Sequence, residues 1–314
     1  MRSSPLLSII IPTYNRCDLL PRAIESALAQ SIEDREVLVC DNASTDHTDD
    51  LRESYETRGV RWVRNGENLG LCGNLHTAVF NHCKGKYFVV LSDDDYLTDT
   101  AYLEDACTFL ETNPDIGFVH ANIVMEDVRS GTIHELDRNI PERMQGKDFF
   151  LSLGKSSFDF AYLMTVVART EKAKTAGFFS ESEIPHGDSL AWLTMSLTSN
   201  VGFLSRNVAS YVLHDANAIF NPKINAWVKD IRFFEIAYAR ALSSQIFSEA
   251  ELKEWRHRMR NSYCGKVIDM LTFAPSMREA IATLGILQRE HQIAEDPRLW
   301  LRTAKAYIKR IFRR

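Results

Sequence analysis

Four times within residues 6–113, a short run of apolar, mostly β-branched residues is followed by a segment with helical spacing. Residues 6–11 are almost purely apolar and stop at Pro12, the pattern of a strand buried on both faces. Over residues 18–30 the apolar positions Leu19, Leu20, Ala23, Ala27 and Leu28 fall at helix spacing, with Asp18 placed to cap and Pro21 in the first turn. The same strand-then-helix pattern recurs at 36–40 and 45–58, at 60–64 and 71–83, and at 87–91 and 102–113. Such repetition predicts right-handed crossovers and an open, mostly parallel sheet flanked by helices, an α/β fold.

Beyond residue 113 the pattern loosens. Strands are expected at 117–125, 132–136, 163–169, 201–204 and 208–213, and a helix at 188–199. From about residue 223 the spacing is nearly all helical, punctuated by Pro275 and Pro297. The expected organisation is a sheet domain over 1–215 and a helical C-terminal region over 216–314. The formal net charge of −5 lacks the basic excess of a nucleic-acid binder. Six cysteines without a C-x-x-C pair argue against structural zinc and suit reduced thiols in a cytoplasmic protein. Neither a cleavable leader pattern nor an apolar stretch of the roughly 20 residues needed for a membrane span is evident.

Open parallel sheets bind ligands beyond the carboxyl ends of their strands, where strand order reverses. Those ends here read Pro12-Thr13-Tyr14-Asn15-Arg16, Asp41-Asn42-Ala43-Ser44-Thr45-Asp46, Asn65-Gly66-Glu67-Asn68-Leu69-Gly70 and Ser92-Asp93-Asp94-Asp95. Three adjacent carboxylates repel one another in a cleft, and a bound divalent cation relieves that repulsion. Oxygen ligands of this kind suit Mg²⁺ or Mn²⁺, which in turn bridge phosphates. An acid run also serves as a solvated loop or a helix cap. Its position after a buried strand, on the same sheet edge as Asp41, favours the site.

The run from Ser8 to Arg16, the run from Asp41 to Asp46, Asn68-Leu69-Gly70 and the run from Leu91 to Asp95 together resemble the successive motifs of family 2 glycosyltransferases, in order and separation. The resemblance covers about residues 6–215. It implies a GT-A fold, a nucleotide-diphosphate sugar donor and transfer of sugar with inversion to an acceptor hydroxyl. By motif, Pro12, Tyr14 and Arg16 would line the nucleotide pocket, and Asp41 would accept from a ring N–H of the base, favouring a UDP- or dTDP-sugar. Asn68 and Asn74 would lie beside the nucleotide, Asp93 and Asp94 would meet the diphosphate, and Asp93, Asp95 and His214 would hold the metal. Asp188 would be the general base, although such a residue more often serves as the N-cap of its helix, and a lone histidine like His214 is more often structural.

Two positions depart from the family pattern. Ser92 stands where many members have an acid, which leaves open which of the three aspartates touch the metal. Gly187 stands where the acid before the base is usual. The chain has no Q-x-x-R-W box, so addition of a single sugar is expected, in cell-surface polysaccharide or glycolipid assembly, onto a saccharide or lipid-linked saccharide. The alternatives are a sugar nucleotidyltransferase, which would normally carry a glycine-rich loop after the first strand, and a non-catalytic nucleotide-sugar-binding protein. Residues 297–314 combine a broad apolar face with basic residues and no acid, a pattern shared by helices that lie on the inner membrane leaflet and by helices packed on a domain.

Overall fold

The computed structural model describes residues 4–138, 140–155, 161–181, 186–215, 217, 224–274 and 276–312, so Pro275, Arg313 and Arg314 lie outside the described residues. The chain divides into two compact units. One comprises Met1–Phe150, Phe160–Ser182 and Gly187–His214; the other comprises Leu151–Asp159, Glu183–His186 and Asp215–Arg314.

The first unit opens with β1 (Leu7–Thr13), α1 (Leu20–Leu28), β2 (Arg35–Asp41), α2 (Arg52–Glu56), β3 (Arg61–Arg64), α3 (Gly70–Thr77) and β4 (Tyr87–Val90). It continues with β5 (Tyr96–Leu97), α4 (Tyr102–Thr112), β6 (Ile116–Asp127), β7 (Thr132–Glu135), β8 (Arg143–Met144), α5 (Gly146–Ser152), β9 (Val167–Arg169), α6 (Thr170–Thr175), α7 (Gly187–Ser196) and β10 (Asn200–Leu213). One sheet runs in the order β3-β2-β1-β4-β9-β6-β10-β5, with β7 added on β6 and β8 on β10. The pairs β1–β2, β2–β3, β1–β4 and β6–β10 are parallel. By contrast, β5, β7, β8 and β9 run antiparallel to their neighbours. The mostly parallel sheet expected from the repeated strand–helix pattern is therefore present, with antiparallel strands added in its second half.

β1 is buried along its whole length. Leu7, Ile9 and Ile11 enter one apolar cluster with α1 and α4, while Ile10 enters a second with Leu38, Phe88 and Val90 on the other face. Burial on both faces is why the run carries no polar alternation. Pro12 is tolerated because its missing N–H points to the β4 side. Two residues earlier the Ile10 carbonyl still accepts from Leu91, but the paired β4 residues end at Val90. Strand order reverses across β1, with β2 and β3 on one side and β4 on the other, which places the switch point at the ends of β1 and β4.

Several expectations needed correction. Asp18 is not a cap: α1 starts at Leu20, and the Arg16 carbonyl takes the Leu19 and Leu20 amides. The helix expected at 45–58 shrinks to a 3₁₀ turn and the short α2, because the Asp46 carboxylate binds the Thr48 amide and hydroxyl and holds the preceding segment as a loop. The helix expected at 71–83 widens into a π-turn over Ala78–His82. The strand expected at 163–169 keeps only Val167–Arg169, Leu163–Thr165 forming a 3₁₀ turn. The two strands expected at 201–204 and 208–213 are one strand, β10, whose register shifts between Leu204 and Ala209. Those register shifts explain why the sequence pattern breaks there.

The second unit is helical: α8 (Ile224–Asp230), α9 (Arg232–Ser244), α10 (Glu249–Met270), α11 (Met277–His291) and α12 (Pro297–Phe312). Ser248 and Glu251 form a capping box at the head of α10, and Ser276 caps α11. Trp255, Met259, Tyr263 and Cys264 of α10 are buried along with Phe233 and Phe234 of α9. No helix of the described residues is long and apolar enough to cross a membrane.

Candidate functional site

The loops that follow β1 and β2 are bonded to each other. The Asn15 amide donates to Ser44 Oγ at 2.9 Å, Asn15 Oδ1 accepts from the Thr45 amide at 2.7 Å, and the Arg16 amide donates to Thr48 Oγ1 at 3.1 Å. Asn15 and Ala43 both sit at positive φ, 53° and 63°, a conformation Asn adopts more readily than most residues. These bonds fix the start of the Tyr14-Asn15-Arg16 segment, in which Tyr14 is 41% exposed.

Asp41, at the end of β2, is fully buried. Its Oδ1 accepts from the Ser44 amide at 2.9 Å and its Oδ2 is paired with Arg64, which also donates to the Ser44 carbonyl at 2.6 Å. Both carboxylate oxygens thus already serve the fold. An asparagine network lies next to it. Asn42 donates to Asn68 Oδ1 at 2.8 Å and accepts from Asn65 and the Leu69 amide, each at 3.0 Å. Asn65 donates to Asn74 Oδ1 at 2.9 Å, and Asn74 donates to the Cys40 carbonyl at 2.9 Å. Sequence reading singled out Asn68 and Asn74 but missed Asn42 and Asn65. The spacing of four asparagines within 42–74 was the available signal, since buried amides need partners of their own kind.

The acid run leaves β4 and turns back under β10. Burial pushes the Asp93 carboxyl up to about 6, with the Asp94 charge adding to the rise, while the Thr13 hydroxyl, Arg16 and the Tyr14 amide pull against it. Asp93 therefore belongs to the end of β1 as much as to β4. Asp94 Oδ2 lies 3.2 Å from His214 Nε2, and its backbone carbonyl accepts from Arg22 at 2.8 Å. Asp95 is 1% exposed; its Oδ1 accepts from the Val212 amide at 2.9 Å, and its Oδ2 is buried with no hydrogen-bond partner among the described residues. Burial, followed by the Asp94 charge, raises the Asp95 carboxyl well above the usual carboxylate range.

The structure thus brings together Asp93, Asp94 and Asp95 with Thr13, Arg16 and His214. Asp188 stands elsewhere, in the first turn of α7, where its Oδ1 accepts from the Ser189 amide at 2.7 Å. Gly187 before it is there for space: a Cβ would come within 2.5 Å of the Phe179 ring.

Among the described residues no three His, Cys, Asp or Glu side chains converge as a ready metal cage. A hard cation that works on phosphates does not need one, because one or two carboxylates plus substrate oxygens complete its shell. The donor set fits that arrangement, with half-buried carboxyls at Asp93 and Asp94, a histidine nitrogen against Asp94, and a partnerless Asp95 oxygen behind them.

The family model for glycosyl transferase family 2 matches residues 8–169. The chain belongs to glycosyl transferase family 2. An uncharacterized glycosyltransferase of Rickettsia typhi is 28% identical over 215 residues, 68% of this chain and 65% of that protein. A UDP-Glc:alpha-D-GlcNAc-diphosphoundecaprenol beta-1,3-glucosyltransferase of Escherichia coli is 32% identical over 121 residues, 38% of this chain and 47% of that protein. The match therefore spans less than two thirds of either relative's length. Residues 1–349 of S. aureus TarS with UDP superimpose with a TM-score of 0.66 at 17% identity, covering 97% of this chain and 88% of that one. A Pyrobaculum calidifontis mannosyltransferase with GDP-Man and Mn²⁺ gives a TM-score of 0.59 at 18% identity, covering 99% and 88%. This family 2 member accordingly has the GT-A fold.

Proposed function

We propose that this family 2 glycosyltransferase moves one sugar from a nucleotide-diphosphate sugar to an acceptor hydroxyl, with inversion, in the assembly of a cell-surface polysaccharide or glycolipid. The observation that carries the reading is the meeting of Asp93, Asp94 and His214 with the β1 loop at the switch point of the sheet. Relatives and structural neighbours support it by what their names state: one uses UDP-Glc on a diphosphoundecaprenol-linked sugar, and others are bound to UDP or to GDP-Man and Mn²⁺. A UDP- or dTDP-sugar donor and a lipid-linked saccharide acceptor are the pair this reading favours.

In this mechanism Tyr14 and Arg16 border the nucleotide, with Pro12 behind them, and the asparagine network of Asn42, Asn65, Asn68 and Asn74 stiffens the opposite wall. Asp41 shapes the base pocket through its lock on Arg64 and the Ser44 turn. Asp94 and His214, with Asp93 beside them, would hold Mg²⁺ or Mn²⁺, which when bound offsets negative charge on the departing nucleoside diphosphate. The acceptor oxygen attacks the anomeric carbon, the bond from that carbon to the diphosphate breaks, and the acceptor proton passes to the Asp188 carboxylate.

Incubating the purified protein with Mn²⁺ and a panel of nucleotide sugars tests this. Slow release of nucleoside diphosphate from one donor, accelerated by an acceptor, is expected. Asp188→Asn should lower transfer at least ~100-fold, the usual scale of general-base loss, while calorimetry shows donor affinity retained. Near-normal turnover in that variant removes Asp188 as the base. Product formation only from a nucleoside triphosphate and a sugar phosphate would overturn the reading in favour of nucleotidyl transfer.

A further inference from the structure

Six of the fourteen large hydrophobic side chains exposed among the described residues lie on one helix, α12. Exposed apolar residues scattered singly are ordinary; a contiguous set is not. The helix is anchored to its unit by Leu299 and Ala306, 1% and 5% exposed, which fall on nearly the same line at about 100° per residue. Trp300, Leu301, Tyr307, Ile308, Ile311 and Phe312 occupy the opposite side, from 36% exposed at Tyr307 to 84% at Phe312. The sequence alone left two readings of this segment, a helix lying on the inner membrane leaflet or a helix packed on the domain. The narrow face packs, and the broad apolar face is left outward.

The charges decide what that face meets. The helix carries no acid, although the whole chain has a formal net charge of −5. Arg298, Arg302, Lys305 and Lys309 are all exposed and fall within roughly 60° of one another, on the flank between the packed line and the apolar stripe. Trp300 and Tyr307 form the other border of the stripe, where ring systems with one polar atom suit the boundary between water and acyl chains. An apolar stripe bordered by cations on one side and by amphipathic rings on the other matches an anionic bilayer in both its layers. The acyl region takes the stripe, and the headgroup plane takes the cations.

We propose that α12 is a membrane-docking helix that seats this protein on an anionic lipid surface. Packing through Leu299 and Ala306 presents the stripe flat to the bilayer, so that the helix lies in the interface plane. Attachment of this kind is reversible, since one helix without a lipid anchor or span supplies a modest partition. The surface is independent of the sugar-transfer reading, and lipid partition is measured without donor or acceptor.

The full-length protein is sedimented with vesicles of phosphatidylcholine alone and with vesicles containing added phosphatidylglycerol. Binding to the anionic vesicles is expected, at least about tenfold weaker on the neutral ones and reduced by salt. Trp300 fluorescence should shift to the blue on binding and become shielded from an aqueous quencher; Trp300→Phe removes the shift. Ile308→Asp with Ile311→Asp should abolish partition, and Lys305→Glu with Lys309→Glu should lower it about tenfold or more. Both pairs are exposed, so the thermal melt should be unchanged, confirming that the variants fold. Equal partition of wild type and the Ile308/Ile311 variant, or no partition at all, overturns the proposal. Self-association that disappears in the same variant, without lipid binding, identifies a second copy of the chain as the occupant and likewise overturns it.

Discussion

At the scale of single residues, His120 shows how burial sets a chemical state. It lies in β6 with its ring centroid 5.0 Å from that of Phe203 and 6.1 Å from that of Phe149, and its Nδ1 is buried without a hydrogen-bond partner among the described residues. Burial, with the nearby Arg138 charge, lowers its pKa to about 3. The unfolded chain therefore takes up this proton at higher pH than the fold does. The contribution of neutral His120 is complete above the unfolded value of about 6.5 and is lost as pH falls from there toward 3. A melting series from pH 7 to about 4 should show that loss, and His120→Phe should flatten it by an amount on the order of a few kcal/mol. A second prediction separates the three acids after β4. Asp94→Asn should weaken Mn²⁺-dependent donor binding at least about tenfold in calorimetry, as expected when an ion loses a carboxylate ligand. Asp95→Asn keeps an acceptor for the Val212 amide and should melt close to wild type, whereas Asp95→Ala removes that acceptor and should cost about 1–3 kcal/mol.

At the scale of elements, close packing makes α7 sensitive at its first residue. Gly187→Ala pushes a methyl into the Phe179 ring, and Phe179 is itself held at φ 49°, where it has little room to yield. The variant should lose about 1–3 kcal/mol of stability and, if Asp188 is the base, more turnover than donor affinity, as read in a kcat against KM split. Ser248→Ala at the head of α10 tests a simpler device and should cost about 1 kcal/mol in denaturant unfolding. The elements legible in the sequence were those whose neighbours agree with local pattern. β1, β2, β4 and α4 carry long apolar runs or a single periodic face, and their burial follows directly. The sequence misled where contacts that periodicity does not register decide the backbone. The Asp46 carboxylate, two residues away, binds the Thr48 amide and hydroxyl and keeps the preceding segment a loop, and a shift of register on β6 lets β10 continue through polar residues. The candidate site divides in the same way. Strand-end positions announced Asp41, Asp93, Asp94 and Asp95, but only the fold shows Asp41 locked to Arg64, Asp95 turned under Val212, and Asn42 and Asn65 closing the amide network.

At the scale of the whole molecule, each compact unit has its own core, yet chain order and spatial grouping do not coincide. Leu151–Asp159 joins the second unit, where the Leu151 carbonyl accepts from Arg258 at 2.6 Å and Gly154 lies against Met259. A protein ending at residue 214 loses those partners and should melt lower than the full chain in calorimetry. The sheet adds a constraint of a different kind. β9 is only Val167–Arg169, yet it is the strand that joins β4 to β6, and Arg169 reaches the carbonyls of Leu110 and Ile116 and the hydroxyl of Tyr87. The two strands it joins are both made earlier, ending at Val90 and Asp127. On the ribosome, at roughly 5–20 residues per second, the nascent chain waits several seconds after finishing β6 with two strand edges bare. Bare edges invite pairing with other chains, so the birth of this sheet exposes it to aggregation; β9 closes the edge of β4 and the facing edge of β6, and the other edge of β6 waits longer still, for β10.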